Sequence, residues 1–187
     1  MNMNEEIIQK TEEYVREHVP TKRKPDEKYF DHVFGARKYA LKLAKEYHAD
    51  EFIVDMAILL HDIGADAGPI HAQKSAEIAE EYLGGLNIDE KTKDEIVKCI
   101  RTHSMGIKVD SLEQQIIQDA DGLIFIDDSY KYFFEKQKDK ASSLEEALRR
   151  SVSKTDGMTA KIKTKMGIEL KNELLPIAIE WLNSQKH

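Results

Sequence analysis

A histidine and an aspartate stand side by side where an apolar stretch of the chain ends. The pair His61-Asp62 directly follows four apolar residues, 57–60, and is followed by Ile63-Gly64. An ionised carboxylate is costly to bury without a partner, because an apolar environment cannot replace its hydration. A divalent cation is the simplest partner for such a pair. Other donors elsewhere in the chain could share such a cation.

Several other polar side chains are predicted to face inward. Spacings of three and four residues from apolar side chains place a residue on the buried face of a helix. The residues with this spacing are His32, His61, His103 and Asp119. His71 begins a predicted helix beside a loop and can reach the same cavity.

Each of these residues also has an ordinary structural interpretation. A single histidine on an apolar face is more often a hydrogen-bonded core residue than a ligand, and Asp119 could pair with a buried Lys or Arg. The combination of several such residues favours a metal site. Imidazole and carboxylate donors suit Mn, Fe, Co, Ni or Zn better than Ca, and Mg is a further candidate. One or two ions in such a set would lower the pKa of bound water and polarise a phosphoryl oxygen.

Helical periodicity extends through nearly the whole chain, which has only four prolines and nine glycines. No alternating strand pattern persists, so we predict an all-α bundle of about eight or nine helices. Six predicted helices cover 5–18, 26–47, 50–63, 71–83, 89–103 and 110–126. Residues 127–187 are predicted to form two or three more, with a break near Asp156-Gly157. Gly64 is predicted to end the third helix in the left-handed conformation.

Length and composition narrow the class of protein. The 187 residues suffice for a single domain spanning 1–187. A net charge of −7 argues against non-specific nucleic-acid binding, although it leaves room for a local basic pocket. The single cysteine, Cys99, excludes an internal disulfide and fits a reducing cytoplasm. The N-terminal residues do not resemble a signal peptide, and no apolar run predicts a membrane span.

Five motifs occur in order along the chain. They are Asp31-His32, the His61-Asp62 segment 57–64, His71 with Ser75-Ala76, Ile100 with His103-Ser104, and the segment Ile116 to Asp121. Together they resemble the HD-domain superfamily of metal-dependent phosphohydrolases, an all-α family. The resemblance spans about 26–126 and leaves 127–187 as a C-terminal helical extension, which we expect to cover the pocket.

The resemblance implies a set of ligands. By motif, the core metal ligands would be His32, His61, Asp62 and Asp119. His71 and His103 match positions that hold a second metal or the substrate phosphate in two-metal members. The last motif departs from its nearest relatives, which continue with an arginine and a third carboxylate where this chain has Gly122-Leu123-Ile124.

The resemblance also implies a reaction, the hydrolysis of a phosphate ester or anhydride in a nucleotide or another small phosphorylated metabolite. Asp62, Asp66 and His103 are the predicted catalytic residues, with Asp66 orienting the attacking water as an acid does at this position in some family members. Lys74 and Arg101 are candidate phosphate-binding residues. Weaker candidates for that role are Arg37, Lys161 and Lys165.

Three alternatives remain open from the sequence. The same donors could hold a di-iron centre of an oxygenase. The chain could instead be a non-catalytic module that binds a nucleotide or a partner helix. A purely structural role for His61 and Asp62 is the third. The stretch from Leu174 to Leu182, with Trp181, is predicted to belong to the core or to a homodimer face.

Overall fold

Helix caps stand close to the positions that the sequence predicts. Asp50, Asp89 and Ser111 each accept a hydrogen bond from a backbone N–H in the first turn of the helix that follows. Such caps satisfy donors that have no partner inside the helix. They set the start of the helices that carry the inward-facing histidines and aspartates.

The computed structural model describes residues 2–21 and 26–186. Within these ranges the fold is all-α, as predicted, and contains no β-strand. The helices are α1 (Met3–Glu17), α2 (Asp26–Tyr47), α3 (Glu51–Leu60), α4 (His71–Gly84), α5 (Glu90–Thr102), α6 (Leu112–Ile124), α7 (Tyr130–Lys138), α8 (Leu144–Ala160) and α9 (Lys165–Ser184). A 3-10 helix (Ala65–Ile70) joins α3 to α4, and a π-helical turn (Phe125–Ser129) joins α6 to α7. No described helix combines the length and hydrophobicity that a membrane crossing requires.

Helix α3 forms the centre of the bundle. Every residue from Ile53 to Leu60 is buried, and α3 packs against α1, α2, α5 and α6. The buried Asp55 within it is paired with Arg37, whose Nη2 lies 2.8 Å from Asp55 Oδ2 and which also contacts Glu12. The guanidinium of Arg37 is therefore engaged by the carboxylates of Asp55 and Glu12. Because α3 ends at His61, the most buried helix leads directly to the predicted site.

Two glycines differ from the conformations predicted for them. Gly64 has φ −97°, which is not left-handed. A Cβ there would lie 2.5 Å from the backbone N of Ser75, so close packing of α3 against α4 requires the glycine. Gly157 does not interrupt the helix as predicted, because α8 continues through it to Ala160. A Cβ at Gly157 would meet the sulfur of Met105 at 2.5 Å, so this glycine accommodates a loop side chain inside a helix.

The C-terminal helices pack on the end of the bundle that carries the π-helical turn. Helices α7, α8 and α9 all contact that turn, and α8 and α9 also contact α6. The break predicted near Asp156-Gly157 lies instead at residues 161–164. Trp181 of α9 packs edge-on against Tyr130 and Phe134, which places it in the core of this extension.

The reactivity of Cys99, the only cysteine, reports on the packing of the core. Cys99 is 1% exposed, and burial raises the pKa of its thiol to about 12. The thiolate is the reactive form, so at pH 8 the native protein should react with a disulfide reagent at least about 100-fold more slowly than the unfolded protein. Stoichiometric labelling with and without denaturant measures this. Equal rates in both states would contradict the packing described for α5.

Candidate active site

Four histidines meet at the end of α3, and a hydrogen bond at Nδ1 orients each ring. The Nδ1 atoms of His61, His71 and His103 lie 2.7, 3.0 and 2.7 Å from the carbonyl oxygens of the residues three positions earlier. His32, in the middle of α2, instead uses Ser129 Oγ of the π-helical turn, at 3.1 Å. A carbonyl only accepts, so the first three rings carry a proton on Nδ1. In their neutral form they direct the Nε2 lone pair into the site.

The first group of donors is His32, His61 and Asp121. Their ligand atoms all lie within 4.8 Å of one another. His32 Nε2 is 3.2 Å from His61 Nε2 and 3.3 Å from Asp121 Oδ1. The three residues come from α2, the end of α3 and α6, so the packing of these helices around α3 brings them together.

The second group is Asp62, His71 and His103, again with ligand atoms within 4.8 Å of one another. The Nε2 atoms of His71 and His103 are 3.0 Å apart, and each is 3.9 Å from Asp62 Oδ1. The turn directly after α3, the start of α4 and the end of α5 position these side chains.

Asp62 lies between the two groups. Its Oδ1 faces His71 and His103, whereas its Oδ2 is 3.7 Å from His32 Nε2 in the first group. A carboxylate with one oxygen toward each of two donor sets is suited to bridge two cations. Two-metal sites hold their ions about 3.5–4 Å apart, which a single bridging carboxylate can span.

The facing imidazoles fit a cation. Burial lowers the pKa of His61, and burial followed by repulsion from His61 lowers the pKa of His103 to about 3, so both rings are neutral at pH 7. With Nδ1 protonated on both His71 and His103, neutral rings bring two lone pairs to 3.0 Å, an unfavourable contact that a shared cation converts into coordination. The donor set of nitrogen and carboxylate oxygen matches the transition metals expected from the sequence.

A family model described as HD domain matches residues 29–125, which include all six of these donors. The chain belongs to the HD domain family. Among curated proteins it has no significant match.

Several solved structures share this fold over nearly the whole chain. Bacillus subtilis YpgQ is 19% identical, with a TM-score of 0.77 over 98% of this chain and 95% of that chain. An HD-superfamily hydrolase from Bacillus thuringiensis is 19% identical, with a TM-score of 0.74 over 97% and 95%. A predicted HD-superfamily hydrolase from an uncultured Thermotogales bacterium is 23% identical, with a TM-score of 0.67 over 98% and 97%. At these identities the likeness concerns the fold. YpgQ has also been solved in complex with ADP.

In this HD domain the aspartate beside the first group is Asp121, not the expected Asp119. Asp119 faces the start of α9, where its carboxylate accepts from the backbone N–H groups of Lys163 and Thr164 and from the Gln115 side chain. Asp121 points the opposite way, toward His32. Every residue of α6 from Ile116 to Ile124 is buried, so the apolar pattern used to select Asp119 could not distinguish the two.

Charge and hydrogen bonding set the ionisation of Asp121. Burial would raise the pKa of its carboxyl, but the Lys161 ammonium and then His32 outweigh burial and hold that pKa well below its usual range. Asp121 is therefore an anion at neutral pH. It supplies the negative charge that a cation in the first group requires.

Asp66, Lys74, Arg101 and Lys165 lie away from both groups. Asp66 accepts from the backbone N–H and the hydroxyl of Thr21, at 2.8 and 2.7 Å, and does not line the cavity over the histidines. Lys74 is exposed and pairs with Glu77, and Arg101 is exposed with Glu80 at 4.0 Å. Lys165 is exposed at the start of α9. The structure therefore brings neither Asp66 nor the two expected phosphate-binding residues to the site.

A cavity of about 600 Å³ opens over the two groups, and of its cationic side chains only Lys161 was among the candidates from the sequence. The lysines that line it are Lys28, Lys136, Lys140, Lys154 and Lys161. All but Lys28 come from residues 127–187, where no sequence motif identified them. The expectation that this extension covers the pocket agrees with these positions. Helical spacing of Lys136 and Lys140, four residues apart, is the one sequence signal that could have suggested them.

Paired substitutions separate the roles of the two aspartates. Asp119→Asn places an amide donor against backbone donors, so we expect a loss of about 2–3 kcal/mol in unfolding free energy with Mn²⁺ binding retained. Asp121→Asn removes an anionic ligand, so Mn²⁺ affinity should fall at least about 10-fold. Denaturation and Mn²⁺ titration calorimetry of both variants measure these effects. Loss of Mn²⁺ binding in a folded Asp119→Asn variant, with binding unchanged in Asp121→Asn, would reverse the assignment.

Proposed function

We propose that this HD domain is a metal-dependent phosphohydrolase. It hydrolyses a phosphate ester or anhydride in a nucleotide or another small phosphorylated metabolite. The observation that carries the proposal is Asp62, placed with one carboxylate oxygen toward each of two histidine groups beneath a lysine-lined cavity.

The residues that would hold the ions are His32, His61 and Asp121 for one and His71 and His103 for the other, with Asp62 between them. In these positions the residues would hold transition-metal ions, and the chemistry such ions would supply is a hydroxide at neutral pH and neutralisation of charge on a phosphoryl group. The Nδ1 hydrogen bonds of the histidines hold the rings in place, so that the donor geometry is set before substrate binds. His103 acts here as a ligand, since both of its ring nitrogens are committed.

The cavity lysines suit a phosphorylated substrate. The chain as a whole carries a net charge of −7, yet the cavity lining includes four lysines that are not buried, Lys28, Lys136, Lys140 and Lys154. The amino group of Lys136 lies 5.2 Å from the centre of the Tyr132 ring, which holds this cation at the cavity wall. A phosphate bound over the histidines would therefore meet ammonium groups on the side opposite the ions.

Aromatic side chains make a nucleotide a suitable substrate. Tyr132 and Phe133 are partly exposed in the lining of the same cavity and offer aromatic rings against which a base can pack, whereas Tyr29 and Phe125 are buried in its wall. The structurally similar YpgQ binds ADP. A buried thiol at Cys99 with no disulfide supports a cytoplasmic location.

A screen tests this proposal. Metal-free protein is loaded in turn with Mn, Ni, Co, Fe, Zn or Mg and supplied with nucleoside mono-, di- and triphosphates and phosphate monoesters. We expect at least one pair to release phosphate or pyrophosphate. Asp62→Ala should reduce that rate at least about 100-fold, because an ion that contributes several kcal/mol of transition-state stabilisation is lost.

Arg101→Ala is the matched control, since Arg101 is exposed and lies outside the cavity. Its rate should equal that of the wild type. Full hydrolysis by Asp62→Ala would contradict the proposal. Iron-dependent oxygen consumption without phosphate release would favour the di-iron oxygenase, and tight nucleotide binding without turnover would favour a binding module.

A further inference from the structure

One buried lysine connects the two donor groups. Lys161 follows α8, outside the segment that matches the family, and is only 5% exposed. Its Nζ donates to Asp121 Oδ2 at 2.5 Å and to the backbone carbonyl of His103 at 3.1 Å. Burying an ammonium costs several kcal/mol unless it is paired and hydrogen-bonded. Lys161 meets that condition by contacting one residue of each group.

The contact with Lys161 gives the two carboxylate oxygens of Asp121 different partners. Oδ2 is taken by Lys161, whereas Oδ1 is 3.3 Å from His32 Nε2 and 3.9 Å from His61 Nε2. Only Oδ1 is left to face the first group. Without the ammonium, both oxygens could chelate one ion, and the carboxylate could rotate away from its present position.

The contact with His103 fixes the other side of the site. The His103 carbonyl lies at the end of α5, where the chain leaves the helix. Lys161 holds that carbonyl while the His103 ring points to Asp62 and His71. Gln118 anchors the same loop independently through the carbonyls of Thr102 and Ile107, so the loop keeps a support when Lys161 is replaced.

We propose that Lys161 is a positioning residue that keeps Asp121 as a one-oxygen ligand and holds the two donor groups at the separation that lets Asp62 serve two ions. This inference rests on the proposed function only in taking the two groups as a metal site. It adds that a residue of the C-terminal extension determines whether the site holds a pair of ions or a single one.

The two ions should respond in opposite ways to loss of the lysine. The first ion loses a neighbouring positive charge and gains a second carboxylate oxygen, so its binding should stay equal or become tighter. The second ion loses the anchored geometry of His103, so its affinity should fall at least about 10-fold, as for other losses of residues that orient ligands. A purely structural role would weaken both ions together.

The experiment uses metal-free full-length protein titrated with Mn²⁺, followed by calorimetry and electron paramagnetic resonance. Wild type should bind two ions with the spectrum of an exchange-coupled pair. Lys161→Met should bind the first ion as tightly or more tightly and lose the coupled spectrum, while Lys161→Arg should retain it in part. Lys163→Met is the matched control, because it removes an exposed charge from the same segment, and it should behave as wild type.

Thermal melting of each variant accompanies the titration, and Lys161→Gln replaces the methionine variant if that one does not fold. A coupled pair of unchanged affinity in folded Lys161→Met or Lys161→Gln would overturn the inference, as would equal weakening of both ions. Absence of Mn²⁺ binding in wild type would overturn the metal site itself. Two coupled ions in wild type without any phosphate release would leave the role of Lys161 standing and overturn the hydrolase.

Discussion

The site depends on one constraint, which is that histidine rings with protonated Nδ1 atoms bring their Nε2 lone pairs into contact. Three rings donate Nδ1–H to a carbonyl three residues earlier, and burial keeps His61 and His103 neutral. Lone pairs at 3.0 Å repel each other unless a positive charge lies between them. The helix ends hold the rings in this arrangement, which would suit a cation bound among them.

Different parts of the chain supply the donors and the groups that surround them. The segment that matches the HD domain supplies all six donors, and the buried helix α3 presents the central His61-Asp62 pair. The C-terminal extension supplies what surrounds them, namely Ser129 on His32, Lys161 on Asp121 and most of the lysines over the cavity. The donors thus come from the family segment, whereas the charges that act on them and on a substrate come largely from outside it.

Much of the fold could be predicted because helical spacing and caps such as Asp50, Asp89 and Ser111 are local signals. The prediction of a helix break at Gly157 was wrong. A glycine inside a helix can instead make room for a side chain from elsewhere in the sequence, here Met105. In the site, the four histidines could be predicted by type and position. Asp121 could not, because α6 is buried on every face from Ile116 to Ile124 and only tertiary neighbours distinguish Asp121 from Asp119. The cavity lysines depend on how α7 and α8 pack, which no local pattern encodes.

If Asp62 lies between two cations, as we propose, diffraction from crystals grown with Mn²⁺ will locate both ions. Anomalous scattering at the manganese edge should show two peaks about 3.5–4 Å apart. One should lie among His32, His61 and Asp121 and the other between His71 and His103, with a different oxygen of Asp62 toward each. No peak within coordination distance of these histidines, or an ion bound by Asp119 instead, would contradict the account.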